Sequence, residues 1–167
     1  MPGVPSTLTK IGSREHVVME ARSWQGTPYH LGGRVKRAGV DCGTYLMEVL
    51  IACSLVTRAE FEDLGFYGHD WFCHETSDPR RYLRMMMRHA ELVMEGVAYV
   101  STRTEPGNLV LSKVVDSKHY NHGGIVTEWP RVMHCVAETG VGEVDATTDP
   151  LWCPQKVAIF DPWRKPS

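Results

Sequence analysis

The sequence lacks the features that would assign it to a membrane or nucleic-acid class. No stretch approaches the ~20 apolar residues of a membrane-spanning helix, and residues 1–6 contain no apolar run typical of a signal peptide. No basic run is longer than Arg80-Arg81, and the formal net charge is −2. We therefore expect no membrane span and no nucleic-acid partner.

Cysteine is scarce and odd in number, which argues against a disulfide-stapled secreted domain. The five cysteines are Cys42, Cys53, Cys73, Cys135 and Cys153, and their spacing matches no compact disulfide framework. We interpret them as mostly reduced thiols of a cytosolic product. Because no leader sequence is recognisable, we expect synthesis in the cytoplasm. If the protein acts outside a cell, something other than a signal of its own must deliver it.

The length and the order of hydrophobic patterns predict one α+β domain. The 167 residues are 43% hydrophobic and 23% charged, as in ordinary globular proteins. Capping residues and helical spacing predict helices over 13–24, 42–55 and 79–94, separated by an irregular segment over 57–78. Short apolar stretches later in the chain predict antiparallel strands over 97–102, 108–115, 122–129, 131–138 and 156–160. Helices followed by strands indicate an α+β fold.

We place the domain at residues 13–162, preceded by a flexible lead-in over 1–12 and followed by a short tail over 163–167. Within this domain one cysteine has an unusual setting. Asp41 is a good N-cap, so Cys42 falls at the start of the second helix. The helix dipole and free amides there favour a thiolate and stabilise an oxyanion beside it. The alternative is a buried cysteine acting as a small hydrophobe.

Two histidines in strand-like segments are candidate partners for this cysteine. His122 opens a strand beside Gly123-Gly124 and is the candidate general base. The alternative, which the residue taken alone favours, is a loop histidine without a catalytic role. His134 lies in the next strand, in apolar surroundings typical of a core histidine. A turn near Trp129-Pro130 would bring residues 122 and 134 side by side, so that one imidazole orients the other.

Tyr29 lies in a turn rich in glycine and proline before Cys42. Its phenol is a candidate for binding the oxyanion or positioning the nucleophile. It is also consistent with a turn aromatic that packs on Trp24.

Taken in order along the chain, these motifs resemble the NlpC-type cell-wall cysteine peptidases, a papain-like family that cleaves peptidoglycan stem peptides. The resemblance covers roughly residues 15–138. It rests on these motifs: Thr27-Pro28-Tyr29, Gly32-Gly33, Asp41-Cys42, Pro106-Gly107-Asn108-Leu109-Val110, His122-Gly123-Gly124-Ile125-Val126 and Met133-His134-Cys135. The loop over 33–40 is most similar to the branch of the family found in phage tails and prophages.

The resemblance implies a helical N-terminal half packed on a C-terminal antiparallel sheet, with no cofactor and no metal. It implies Cys42 as nucleophile, His122 as base and His134 as the residue that orients the base. Tyr29 would support the oxyanion. Asp41 would either recognise a substrate amine or act only as an N-cap.

Two positions depart from the family pattern. Gly43 stands where serine is common after the nucleophile, and Asn108 stands where aspartate is usual after Pro-Gly. Gly43 weakens the case for recognition of a substrate amine at that position. The aspartate usual at position 108 we interpret as structural, so we expect asparagine there to leave the chemistry intact. The partners implied by the resemblance are peptidoglycan peptides and phage tail proteins, with delivery to the cell wall by a phage particle or by lysis.

Three other functions are compatible with the residues. His69, Cys73 and His74 form a weak candidate metal site, without a second pair at zinc spacing. An acyltransferase or amidase would use the same cysteine and histidines with another acceptor. A tail assembly component would keep the fold without the activity.

Overall fold

The computed structural model describes residues 10–62, 88, 90–95, 103–114, 117–152 and 157–164. In these ranges the helices are α1 (Arg14–Ser23), α2 (Cys42–Ala52) and α3 (Arg58–Glu62), with a 3-10 helix over Pro150–Trp152. The strands are β1 (Arg34–Val35), β2 (Gly39–Val40), β3 (Glu91–Glu95), β4 (Leu109–Ser112), β5 (His122–Glu128), β6 (Arg131–Val136), β7 (Gly140–Asp145) and β8 (Val157–Asp161).

The first two helices form where the sequence predicts them. The Ser13 hydroxyl accepts a hydrogen bond from the His16 amide and caps α1. Asp41 caps α2 in a reciprocal arrangement with Thr44, a capping box. The second helix ends at Ala52, three residues earlier than predicted, because Ser54 takes a left-handed conformation with φ +61°.

Six strands form one antiparallel sheet in the order β3-β8-β4-β5-β6-β7. Helices α1 and α2 pack on one face, where Val17, Leu46 and Leu50 meet Ile125 and Phe160 in the main core. The opposite face carries a second, smaller cluster that includes Trp152. The predicted α+β architecture, with helices first and an antiparallel sheet after them, is confirmed.

The remaining predictions for individual elements had mixed outcomes. Strands predicted over 108–115, 122–129, 131–138 and 156–160 are confirmed as β4, β5, β6 and β8. The predicted strand over 97–102 lies outside the described residues, as does most of the predicted helix over 79–94. The end of that helix is wrong, because Glu91–Glu95 forms β3 and pairs with β8.

Strand β7 was not predicted, since Gly140 resembles a break between elements. In the structure Gly140 has φ +72° and opens the strand. A β-carbon there would collide with the carbonyl of Thr27. Glycine is therefore required by both backbone conformation and close approach.

The segment expected to be irregular over 57–78 contains α3 in its described part. None of the helices in the described ranges is long and apolar enough to cross a membrane.

Candidate active site

The start of α2 is built around the Asp41 carboxylate, which is only 1% exposed. Its Oδ1 accepts hydrogen bonds from the amides of Gly43 and Thr44, each at 2.9 Å. Its Oδ2 accepts the amide of Gly32 at 2.7 Å. Asp41 therefore acts as an N-cap that also holds the preceding loop, and its burial favours this structural role over contact with a substrate amine.

Cys42 follows at the first helical position and is 2% exposed. Its sulfur lies 4.0 Å from the carbonyl oxygen of Asn121. The backbone N–H of Asn121 donates to the backbone carbonyl of Ser112 on β4. This hydrogen bond fixes the Asn121 carbonyl at the start of β5. The structure thus places the thiol against the backbone of the residue directly before His122.

His122 and His134 lie on adjacent antiparallel strands and contact each other directly. His134 is paired with Gly124, two residues after His122, so the two histidines are diagonal neighbours on one face of the sheet. Nε2 of His122 lies 2.9 Å from Nδ1 of His134, a hydrogen bond between two buried rings. The juxtaposition predicted from the sequence is present.

This hydrogen bond determines which nitrogen of His122 is available as a base. A neutral imidazole has one donor and one acceptor nitrogen. If Nε2–H of His122 donates to Nδ1 of His134, then Nδ1 of His122 carries a free lone pair. Nδ1 is also the ring nitrogen nearer the backbone, and the sulfur of Cys42 lies 4.0 Å from the backbone carbonyl of the preceding residue, Asn121. Nδ1 is therefore the candidate to accept a proton from Cys42.

Trp152 packs against both histidines, and sequence reasoning missed it. Its ring lies 5.0 Å from the ring of His122 and 5.5 Å from that of His134, centroid to centroid, and its side chain is fully buried. It belongs to the 3-10 helix, and no periodic pattern or motif marks that segment. The aromatic residue itself is the one available signal in the sequence.

The environment of Cys42 favours the neutral thiol in the unliganded protein. Burial is the main cause that raises the pKa of the thiol well above its ordinary value, and the charges of Asp41 and Cys135 act in the same direction. Hydrogen bonds from the amides of Gly43 and Cys42 oppose this increase without cancelling it. The amides at the helix start favour the thiolate, as the sequence predicts, but burial outweighs them.

Burial also keeps both imidazoles neutral. It lowers the pKa of His122 to about 3, with a smaller contribution from His134. The pKa of His134 is lowered by burial too, while the carboxylate of Asp149 partly offsets this. A neutral thiol beside a neutral imidazole is the resting state that follows.

Tyr29 lies in the loop that precedes α2, held by a bridge to Val40. Burial and the neighbouring groups Cys42 and Asp41 raise the pKa of its phenol to about 12. Tyr29 therefore keeps its proton at neutral pH and remains a hydrogen-bond donor close enough to Cys42 to interact with it electrostatically.

Among the described residues, the other thiols have structural surroundings. Cys53 is fully buried in the main core, and Cys135 donates to the carbonyl of Val40 at 3.3 Å on the face opposite His134. Both are free cysteines, as is Cys42, in line with the prediction of reduced thiols. The described ranges contain no group of three or more residues suited to hold a metal ion, and the candidate site at His69, Cys73 and His74 lies outside them.

The fold of the chain is similar to those of solved NlpC/P60 domains. The chain covers 97% of the NlpC/p60 domain of the peptidoglycan hydrolase SagA, with 88% of its own length matched, 18% identity and a TM-score of 0.52. An NlpC/P60 family protein from Bacillus cereus matches 91% of the chain with 14% identity and a TM-score of 0.61.

A lipoprotein-like NLP/P60 family protein from Staphylococcus aureus matches 96% of the chain with 13% identity and a TM-score of 0.55. The chain spans 41% and 45% of the Bacillus and Staphylococcus structures, respectively. No family model matches the sequence. No curated protein sequence matches it either. The structural likeness establishes the papain-like α+β fold shared with NlpC/P60 domains.

Proposed function

We propose that this protein is a cysteine peptidase that hydrolyses amide bonds in the stem peptides of peptidoglycan. The observation that carries the proposal is the hydrogen-bonded pair of His122 and His134, together with a Cys42 thiol that lies against the backbone carbonyl of Asn121, the residue before His122. Support for the substrate class comes from the order of motifs in the sequence and from the shared fold with a domain described as part of a peptidoglycan hydrolase.

In the first step Cys42 acts as nucleophile and His122 as base. The sulfur forms a bond to the amide carbonyl carbon while the thiol proton passes to Nδ1 of His122. Because the resting thiol and imidazole are both neutral, this proton transfer accompanies attack. The developing imidazolium donates its Nε2–H to His134, which strengthens their hydrogen bond.

The carbonyl oxygen gains the π electron pair and becomes an oxyanion. The amide of Cys42, whose hydrogen bond lowers the pKa of its own thiol, and the protonated phenol of Tyr29 are the candidate donors on this side of the site, since the Gly43 amide is already bonded to Asp41. His122 then gives its proton to the amide nitrogen, the C–N bond breaks and a thioester remains on Cys42.

Hydrolysis of the thioester completes the cycle. A water molecule transfers one proton to His122 as its oxygen bonds to the thioester carbon. The C–S bond then breaks, the stem peptide leaves with a new carboxyl group, and the sulfur regains the proton from His122.

The test is digestion of purified peptidoglycan in ¹⁸O-labelled water, followed by mass spectrometry of the released fragments. The expected result is one ¹⁸O atom and one new amine for each bond cut by the native protein, and no release by Cys42→Ala. Cys53→Ala is the matched control, because Cys53 is a buried cysteine just beyond the other end of α2. Release by Cys42→Ala at the native rate would contradict the proposal.

Origin in a phage or prophage is part of the same proposal. Its support is the loop over 33–40, which resembles the tail-associated branch of the family. Mass spectrometry of particles released from an induced lysogen should detect the chain in the tail fraction. Its presence only in the cytosol of the host would argue against delivery by a particle.

A further inference from the structure

The 3-10 helix over Pro150–Trp152 brings an indole ring against the histidine pair. The interplanar angles are 46° to His122 and 49° to His134, so one tryptophan contacts both imidazoles with the same side chain. The backbone before the ring is fixed as well, because the Ser112 hydroxyl of β4 donates to the carbonyl of Leu151. The indole is thus anchored to the sheet that carries both histidines.

Strand β5 provides the space that this indole needs. Gly124 lies opposite His134, and a β-carbon there would meet Cγ1 of Val132 at 2.5 Å, the carbonyl of Met133 at 2.9 Å and Cη2 of Trp152 at 3.1 Å. The absence of a side chain at Gly124 therefore lets both the Val132 side chain and the indole approach the backbone of β5 closely. Trp152 thus packs closely against the backbone at Gly124 and against both histidine rings.

The indole N–H contributes nothing visible to this arrangement. Nε1 of Trp152 is buried and has no hydrogen-bond partner among the described residues. An unsatisfied buried donor costs stability, whereas the ring face contacts two functional side chains. The ring itself packs in the second cluster and contacts both histidines.

We propose that Trp152 is a positioning residue. Its indole fixes the two imidazoles in the orientation that directs Nε2–H of His122 at Nδ1 of His134, and the same ring excludes water from both imidazoles. This inference rests on the proposed peptidase function. It assigns to Trp152 the task of selecting the tautomer and ring orientation in which Nδ1 of His122 faces the thiol. Misplacement of a reacting group by about 1 Å can reduce a rate ~100-fold.

The electrostatic surroundings give this role a measurable signature. Among the described residues, the charged group from a neighbouring element that acts on the pair is Asp149 before the 3-10 helix, which lies near His134, while the Cys42 thiol at the start of α2 lies against the backbone carbonyl of Asn121. Removal of the indole admits water to both rings. The pKa of His122 then rises from its depressed position toward its ordinary value, and the rotation of the rings becomes less restricted.

Three variants of the full chain separate positioning from core filling. Trp152→Leu removes the aromatic face, and Trp152→Phe restores a ring without the N–H group. Phe160→Leu is the matched control, since Phe160 is an equally buried aromatic on β8. Each variant is measured by thermal unfolding, by kcat and KM on a peptidoglycan fragment between pH 5 and 8, and by NMR titration of the imidazoles.

For Trp152→Leu we expect kcat to fall about 10- to 100-fold with little change in KM, and the imidazole pKa of His122 to rise. Trp152→Phe should recover most of the lost kcat. Phe160→Leu should lower the melting temperature with kcat per folded molecule and the imidazole titration close to those of the native protein. Equal loss of kcat per folded molecule in Trp152→Leu and Phe160→Leu, with unshifted imidazoles, would reduce Trp152 to a core residue.

Two further outcomes remain decisive. If Trp152→Leu does not fold, the native protein is examined for the His122 Nε2–H proton resonance, which should exchange slowly with water at neutral pH. Fast exchange would overturn the exclusion of water by the indole. If the native protein cuts no peptidoglycan, the proposed function fails, while the NMR titration of the variants still decides whether Trp152 positions the pair.

Discussion

The amide of Gly32 donates to Oδ2 of Asp41 at 2.7 Å, so the carboxylate that caps α2 also holds the loop in front of the nucleophile. The same carboxylate raises the pKa of Cys42. Asp41 thereby couples the position of the loop to the protonation of the thiol.

Asp41→Asn tests this coupling. The amide oxygen of asparagine can preserve the cap, while its NH2 group replaces the oxygen that accepts the Gly32 amide. The loss of negative charge removes one cause of the raised thiol pKa. We expect alkylation of Cys42 by iodoacetamide, followed by mass spectrometry, to begin at lower pH than in the native protein. An unchanged pH profile would show that burial alone controls the thiol. If Asp41 binds a substrate amine instead, KM rises without a shift in alkylation.

His134 should be replaceable only by a residue that keeps an acceptor toward His122. In His134→Asn the amide oxygen can occupy the position of Nδ1, whereas His134→Leu leaves Nε2–H of His122 without a partner. We expect kcat to fall about 100-fold or more for the leucine variant, the size of a general-base contribution, and clearly less for the asparagine variant. Equal losses in both variants, at matched melting temperatures, would contradict an orienting hydrogen bond.

The buried neutral imidazole of His122 makes stability depend on pH in the acid range. Its pKa is about 3 in the folded protein, against 6.5 for an unperturbed histidine. Between these values the unfolded chain binds a proton that the folded protein does not, so acid favours unfolding. One such proton changes the free energy of unfolding by about 1.4 kcal/mol per pH unit.

The measurement is urea denaturation of the native protein and His122→Gln from pH 7 to pH 4. The free energy of unfolding should fall less steeply on acidification in the variant. His30→Gln is the control, because His30 is an exposed histidine. Parallel curves for the native protein and His122→Gln would mean that His122 titrates normally in the folded state.

Gly140 and Gly142 of β7 provide a matched pair for the loop that carries Tyr29. At Gly140 the backbone has φ +72° and a β-carbon would meet the Thr27 carbonyl, whereas a β-carbon at Gly142 meets nothing within 4 Å. We expect Gly140→Ala to lower the free energy of unfolding by about 1–3 kcal/mol or more and to reduce activity by displacing Thr27-Pro28-Tyr29. Gly142→Ala should have little effect on either. Similar values for both variants in urea denaturation would contradict the close packing of this loop.

Local signals in the sequence were sufficient for part of the molecule. Ser13 and Asp41 cap helices within a few residues of themselves, and the turn between β5 and β6 brings His122 next to His134. These features depend on short-range geometry, which spacing and side-chain chemistry describe well. Helices α1 and α2 and the contact between the two histidines followed from them.

Features that depend on contacts between residues far apart in the sequence could not be predicted from these local signals. The segment Glu91–Glu95 is a strand because β8 supplies its hydrogen-bond partners, and strand formation depends strongly on such context. Trp152 contacts the histidines only after the sheet has formed. The raised pKa of Cys42 likewise comes from burial by the whole domain, while the sequence reveals only the local helix terminus.

The outer strand of the sheet has a further consequence for how the molecule behaves in concentrated solution. Val141 of β7 uses its amide and its carbonyl to bond Thr27 and Gly26. At this point the backbone has no unsatisfied groups to pair with a strand of another molecule, which is how soluble proteins limit edge-to-edge aggregation. A variant that loosens the loop over 26–40 is therefore expected to self-associate as well as to lose activity.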